Sequence, residues 1–123
     1  MRKQYYFRDS PRGLLAWDVD RLVARSCDLP VRAVQLSAIR ELDEPILVDG
    51  KAPTWRTLAE HMALVLAADL AFPIILAANG DVMDGRHRVA KALQDGHATI
   101  DAVQFAEDPP PDFVGCDPGE LPY

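Results

Sequence analysis

The chain has no apolar stretch near the ~20 residues that a membrane-spanning helix requires. Its longest hydrophobic segments, within residues 62–78, are interrupted by Asp69 and Pro73. The basic start, M-R-K-Q-Y-Y-F-R over residues 1–8, lacks the apolar core and small-residue cleavage site of a secretory signal. These two absences make a cytoplasmic protein the expectation, with no membrane partner. Cysteine is scarce as well: Cys27 and Cys116 stand alone, outside any C-x-x-C or metal-ligand spacing. That argues against a disulfide framework and a structural zinc site, and two distant thiols in a cytosolic chain are expected to stay reduced. A basic excess is also missing, with 13 Lys and Arg against 19 Asp and Glu, a net charge of −6. Phosphate neutralisation supplies most of the affinity of an autonomous DNA-binding domain, so no autonomous DNA binding is expected. No repeat of 20–50 residues is visible.

What is present is an ordinary globular composition, 49% hydrophobic and 26% charged over 123 residues, enough for one domain with a single core. The acidity is concentrated at the end. Residues 107–123 hold Glu107, Asp108, Asp112, Asp117 and Glu120 with no Lys or Arg, and the rest of the chain carries 14 acidic against 13 basic residues. The prolines of the E-D-P-P-P-D-F segment (107–113) exclude helix and central strand. Phe113, Val114, Leu121 and Tyr123 give this tail enough apolar surface to lie along the body as an extended strap. The organisation expected is therefore a domain over 1–106 with an N-terminal arm, followed by an acidic, proline-rich strap or tail over 107–123.

Residues 4–8 suit a short strand or an arm. Asp18 to Cys27, with Val19, Leu22 and Val23 on one face, predicts a short helix limited by Pro30. Residues 31–36 (V-R-A-V-Q-L) alternate like a half-buried strand, and 39–45 form an acidic turn followed by Ile46-Leu47-Val48 and a turn at Asp49-Gly50. The longest helix is expected to start at Thr54 or Thr57 and reach about Asp69. Thr57 and Glu60 suit a capping box, and Leu58, Met62, Val65 and Leu66 form its buried stripe. His61 lies in this helix, where a lone histidine is more often a surface or core residue than a catalyst. Residues 73–77 predict an apolar strand, Asn79-Gly80 a tight hairpin with positive φ at both central positions, and 81–83 its returning arm. A helix follows from Arg86 to Asp95, ended by a left-handed Gly96. Residues 99–105 predict a last strand.

The chemistry concentrates in residues 82–93, V-M-D-G-R-H-R-V-A-K-A-L. A glycine at a strand-to-helix junction lets an anion approach backbone N–H groups at a helix start, where the dipole favours negative charge. Arg86, His87 and Arg88 add charge-assisted donors. Asp84 either caps the helix or holds a Mg²⁺ that arrives with a nucleotide. The helical wheel puts Val89, Ala90, Ala92 and Leu93 on the buried face and aims Arg86 toward it, where a guanidinium requires an internal carboxylate or a ligand phosphate.

At D-G-R-H-R-V-A-K-A-L the sequence resembles the ParB/sulfiredoxin superfamily, whose members share a strand, a Gly-x-x-Arg motif, a helix and a closing strand. The likeness covers about residues 31–105 and implies an α+β fold, a small mixed sheet packed with helices. Sulfiredoxins carry Gly-Cys-His-Arg; here Arg86 stands at the cysteine position, so their thiolate reaction is unavailable. ParB partition proteins bind CTP and continue into a helix-turn-helix domain; this chain ends soon after residue 105, and a stand-alone domain is expected. Free serine kinases of the superfamily carry Asp-Gly-His-His-Arg, matched at four of five positions by residues 84–88. That resemblance implies nucleotide phosphate binding by Asp84, Gly85, Arg86, His87 and Arg88, with ATP or CTP and Mg²⁺ as cofactors and no dedicated protein metal site. It also implies a catalytic carboxylate in the early acidic loop (Glu41, Asp43 or Glu44, with Glu41 chosen) and a phosphate contact by His87.

The function expected is accordingly nucleotide phosphate binding, with NTP hydrolysis or phosphoryl transfer to a small-molecule acceptor as the associated chemistry. The alternative is a non-enzymatic, partition-related or regulatory module that contacts a protein partner or a second copy. Its contact surface would be the arm of Tyr5, Tyr6, Phe7, Leu14, Leu15 and Trp17, whose competing fate is packing on the protein's own core. Nucleic-acid cleavage ranks last, because few acidic metal ligands cluster.

Overall fold

The computed structural model describes residues 3–47 and 50–123; Val48 and Asp49, part of the expected apolar run and turn, lie outside that range. In chain order the elements are β1 (Tyr5–Arg8), β2 (Leu15–Asp18), α1 (Val19–Ser26), β3 (Arg32–Gln35), two 3₁₀ turns (Leu36–Ala38 and Arg40–Asp43), α2 (Trp55–Ala67), β4 (Ile74–Leu76), β5 (Val82–Asp84), α3 (Arg86–Gln94), β6 (Thr99–Gln104), β7 (Phe113–Val114) and a closing 3₁₀ turn, Pro118–Glu120. The fold is α+β. A four-stranded mixed sheet runs β3-β6-β4-β5, and a three-stranded sheet runs β1-β2-β7. Strand β4 is parallel to β6 and antiparallel to β5, and β3 is antiparallel to β6.

Alternation along the strands explains the layering. Ile75, Ala77, Met83, Val103 and Phe105 point to one face of the larger sheet, where they meet Tyr6, Leu15 and Trp17 of the smaller sheet and Leu22 of α1. Ile74, Leu76, Val82, Ile100 and Ala102 point to the other face and pack with Val89 and Ala92 of α3 and with Leu36 and Ile39. The larger sheet is thus the middle layer, which is why β4 reads as continuous I-I-L-A rather than alternating.

The local signals around β4 and α3 have clear structural counterparts. The hairpin between β4 and β5 forms, but with three residues in its loop. Gly80 N–H donates to the Ala77 carbonyl at 2.9 Å and Ala77 N–H to that of Asp81 at 2.8 Å. Gly80, the last of the three loop residues, carries φ of +94°, the pattern of a turn closed by a left-handed residue instead of a two-residue loop. Helix α3 ends in a Schellman motif: Gly96 N–H bonds Leu93 O and His97 N–H bonds Ala92 O, with Gly96 left-handed, as its C-cap position predicts.

Helix α2 differs from expectation. Thr54, the first of the two expected starts, is the N-cap and accepts from Thr57 N–H, so Thr57 lies inside the helix and does not open it with a capping box. Its inward face is Thr57, Leu58, His61 and Val65, all only half-buried, whereas Met62 and Leu66 of the expected buried stripe are exposed. The tail is ordered as a strap. Strand β7 pairs with β2, and Leu121 is buried. The N-terminal arm is consumed by the same sheet: Tyr6, Leu15 and Trp17 are core residues, so it is not the free contact surface that the alternative function requires.

Candidate functional site

The D-G-R-H-R motif sits where β5 ends and α3 begins. Gly85 is the N-cap of α3, in the left-handed region at φ +112°, and no side chain caps the helix there. The expected Asp84 cap is therefore absent. Its carboxylate turns instead to Arg88, whose Nη2 lies 2.9 Å from Asp84 Oδ2. The same guanidinium donates through Nη1 to the carbonyls of Phe72 at 3.1 Å and Pro73 at 2.8 Å. Arg88 thus ties the start of α3 to the segment entering β4, and its charge is balanced within the fold.

Arg86 behaves in the opposite way. The wheel aimed it inward, but its residue is exposed and makes no ion pair among the described residues. The core face of α3 is set by Val89 and Ala92, and Arg86 projects to the side, as does the exposed Leu93. Gly85 also has a packing reason to be glycine. A Cβ on Gly85 would stand 2.5 Å from Cγ2 of Ile74 and 2.9 Å from its Cβ. Close approach of the neighbouring strand, in addition to the left-handed backbone, demands glycine here.

His87 is partly buried between α2 and α3, where its ring meets His61 edge-on with centroids 4.5 Å apart. Burial lowers the His87 pKa from its usual 6.5; His61 and Arg88 add to the lowering, and Asp84 opposes it. A neutral imidazole is the favoured form. Nothing in the local sequence announces the histidine pair; it exists only because α2 packs on α3.

Glu41 lies in the 3₁₀ turn Arg40–Asp43, and its Oε2 accepts the Val82 backbone N–H. Its other oxygen, Oε1, is buried without a hydrogen-bond partner. Strand β5 is an edge, and this carboxylate satisfies one of its outward donors. Beside it Arg40 bonds Asp81 Oδ1 at 2.6 Å and Glu44 at 3.3 Å. Asp43 and Glu44 are exposed. Glu41 therefore has a backbone partner on β5, and the structure gives it no bond to residues 84–88.

No group of three His, Cys, Asp or Glu side chains is arranged to hold a metal among the described residues, and no described helix is long and apolar enough to cross a membrane. A shallow depression of about 160 Å³, lined by Leu70, Ala92, His97, Thr99, Ile100 and Asp101, lies at the C-terminal end of α3. It is below the ~300 Å³ at which small-molecule sites begin. At the N-terminal end the arrangement is an open corner: first-turn amides without a capping side chain, an unpaired guanidinium, and a neutral imidazole behind them. No protein-family model matches the chain, and no curated protein or solved structure matches it either.

Proposed function

We propose that the protein binds the phosphates of a nucleotide, ATP or CTP with Mg²⁺, at the N-terminus of α3, in the manner of a ParB/sulfiredoxin-like domain. The observation that carries this reading is the left-handed Gly85, which opens α3 with no side-chain cap and stands next to the exposed Arg86. Uncapped first-turn amides and an exposed guanidinium on one corner form a receptor for an anion. In this reading Arg86 supplies the charge, Gly85 and the amides after it supply the cradle, and the His87 ring limits the corner on the α2 side. Arg88 and Asp84 hold the corner in shape through their ion pair. Mg²⁺ would come bound to the phosphates, because Asp84 Oδ2 is engaged by Arg88 and at most Oδ1 is left for it. Hydrolysis or transfer to a small acceptor would further require a carboxylate at the corner. Glu41 is bonded to Val82 N–H, which favours binding over catalysis.

Titration calorimetry with Mg²⁺ complexes of ATP, CTP and ADP tests the site on wild type and Arg86→Ala. A saturable heat is expected for wild type, weakened about tenfold or more in the variant, the scale of one charge-assisted contact. Equal heats for the two proteins, or none for either, would reject the assignment. Phosphate release in the presence of amino acids and small alcohols then separates transfer from simple binding.

A further inference from the structure

Of the three α-helices described, α2 alone has no buried residue. Its inward face is Thr57, Leu58, His61 and Val65. A second apolar line runs along it in the open, made of Trp55, Ala59, Met62 and Leu66, with Trp55 88%, Met62 55% and Leu66 65% exposed. At about 100° per residue these four fall within a band roughly 60° wide, and the charged Arg56 and Glu60 lie about 90° and 130° from its midline. Their spacing of four, three and four residues is the d-a-d-a order of a coiled-coil seam.

We propose that this stripe is a self-association surface, on which α2 of a second copy lies antiparallel about a two-fold axis. The register follows from the sequence. With the axis between Glu60 and His61, Trp55 faces Leu66 of the second copy and Ala59 faces its Met62. Each layer sets a d position against an a position, and the small Ala59 makes room for the long Met62. An isologous contact needs a self-complementary line of this kind. Because Arg56 and Glu60 stand off the stripe, no like charges meet across it.

The area suits a weak, small-interface dimer. An aromatic side chain alone buries about 150–250 Å², and the four residues together offer roughly 500 Å² per copy. Two copies then reach about the 1,000 Å² that marks a specific interface, near its lower limit. Other occupants fit less well. The acidic tail is already fixed on β2 through β7, so it cannot cover α2 in cis. An anionic membrane is disfavoured by the net charge of −6, and α2 offers a single basic residue, Arg56, where a lipid-surface helix is rich in flanking lysines and arginines. This surface is independent of the phosphate corner, and neither proposal needs the other.

Sedimentation equilibrium of the full chain, over roughly 5 to 500 μM, tests it; the range brackets the micromolar affinity of a small interface. The expected result is a rise from 13.6 kDa to twice that mass. In parallel, iodide quenching of the exposed tryptophan should fall as the dimer forms; Trp17 is buried in either state. Met62→Glu and Leu66→Glu leave the inward face of α2 intact, so each variant should keep the wild-type circular dichroism while remaining at 13.6 kDa throughout. A wild type that stays monomeric at the highest concentration would overturn the proposal. So would a doubled mass that survives both substitutions, because it would place the interface elsewhere.

Discussion

At the scale of single residues, Gly85 carries two separate constraints. Its φ of +112° lies where a Cβ clashes with its own backbone, and the space a Cβ would occupy belongs to the Ile74 side chain, 2.5 Å away. Ile74 is fully buried in the middle sheet and cannot retreat without disturbing close-packed neighbours. Gly85→Ala is therefore expected to cost about 3 kcal/mol, the sum of a left-handed penalty and overpacking. Gly96 separates the two effects. It is also left-handed, at φ +80°, but nothing lies within 4 Å of its notional Cβ, so Gly96→Ala should cost only about 1 kcal/mol. Urea denaturation of the two variants measures the difference. Equal losses would mean that Ile74 yields freely and that the backbone alone requires Gly85.

At the scale of elements, α2 meets α3 with no fully buried residue of its own, and the histidine pair lies in that contact. His87 has its pKa lowered by burial first, then by His61 and Arg88, against the opposing Asp84 carboxylate. The unfolded chain therefore takes up a proton near the ordinary value of 6.5 while the folded protein still resists it. Between 6.5 and the lower folded value the unfolded state holds more protons, so stability falls as pH falls through that window and is fully retained above it. His87→Gln is expected to flatten this dependence, and His61→Gln to flatten it in part. Thermal midpoints between about pH 7.5 and 5 provide the check, using the unperturbed histidine range as the reference; an unchanged slope in both variants would show that the pair does not set it. The pair also marks the limit of what the sequence conveys. Strands β3, β4, β5 and β6 and both ends of α3 are local patterns: alternation, an apolar run, Asn79-Gly80, Gly85 and Gly96. All of them were legible. Strand β2 was not, because L-A-W-D carries no alternation and is a strand only through its partners β1 and β7. The inward face of α2 was misjudged for a related reason. Its apolar residues cover more than one side of the helix, and which side packs depends on the position of α3, to which no local periodicity points. The motif's positions were legible as a helix-start corner, but the partition of its two arginines into one paired and one free needed the third dimension.

At the scale of the whole molecule, the C-terminal strap closes one face of the fold. Asp108 takes Arg8 through one oxygen, at 2.9 Å, and Ala78 N–H through the other, at 2.8 Å. Pro109 accepts the indole N–H of the buried Trp17 at 2.8 Å. Asp112 accepts Asp18 N–H and pairs with Arg21 at 2.8 Å, β7 covers the outer side of β2, and Leu121 is buried. Two of the tail's five acidic residues, Asp108 and Asp112, are thus matched to donors on the body, whereas Glu107, Asp117 and Glu120 are exposed. Removing residues 107–123 would strand the Trp17 donor, leave β2 as an open edge and expose the layer between the two sheets. Summed at about 1 kcal/mol per hydrogen bond and 2 for the leucine, the loss is about 5 kcal/mol or more, comparable with the whole stability of a small domain, about 5–15 kcal/mol. A chain ending at Ala106 should therefore lose cooperative unfolding or show a sharply lower urea midpoint. In a Trp55→Phe background, where emission reports Trp17 alone, its fluorescence should shift to the red. A truncated chain that kept both the midpoint and the blue emission of the full protein would show that the first 106 residues fold as a unit and that the strap merely rests on them.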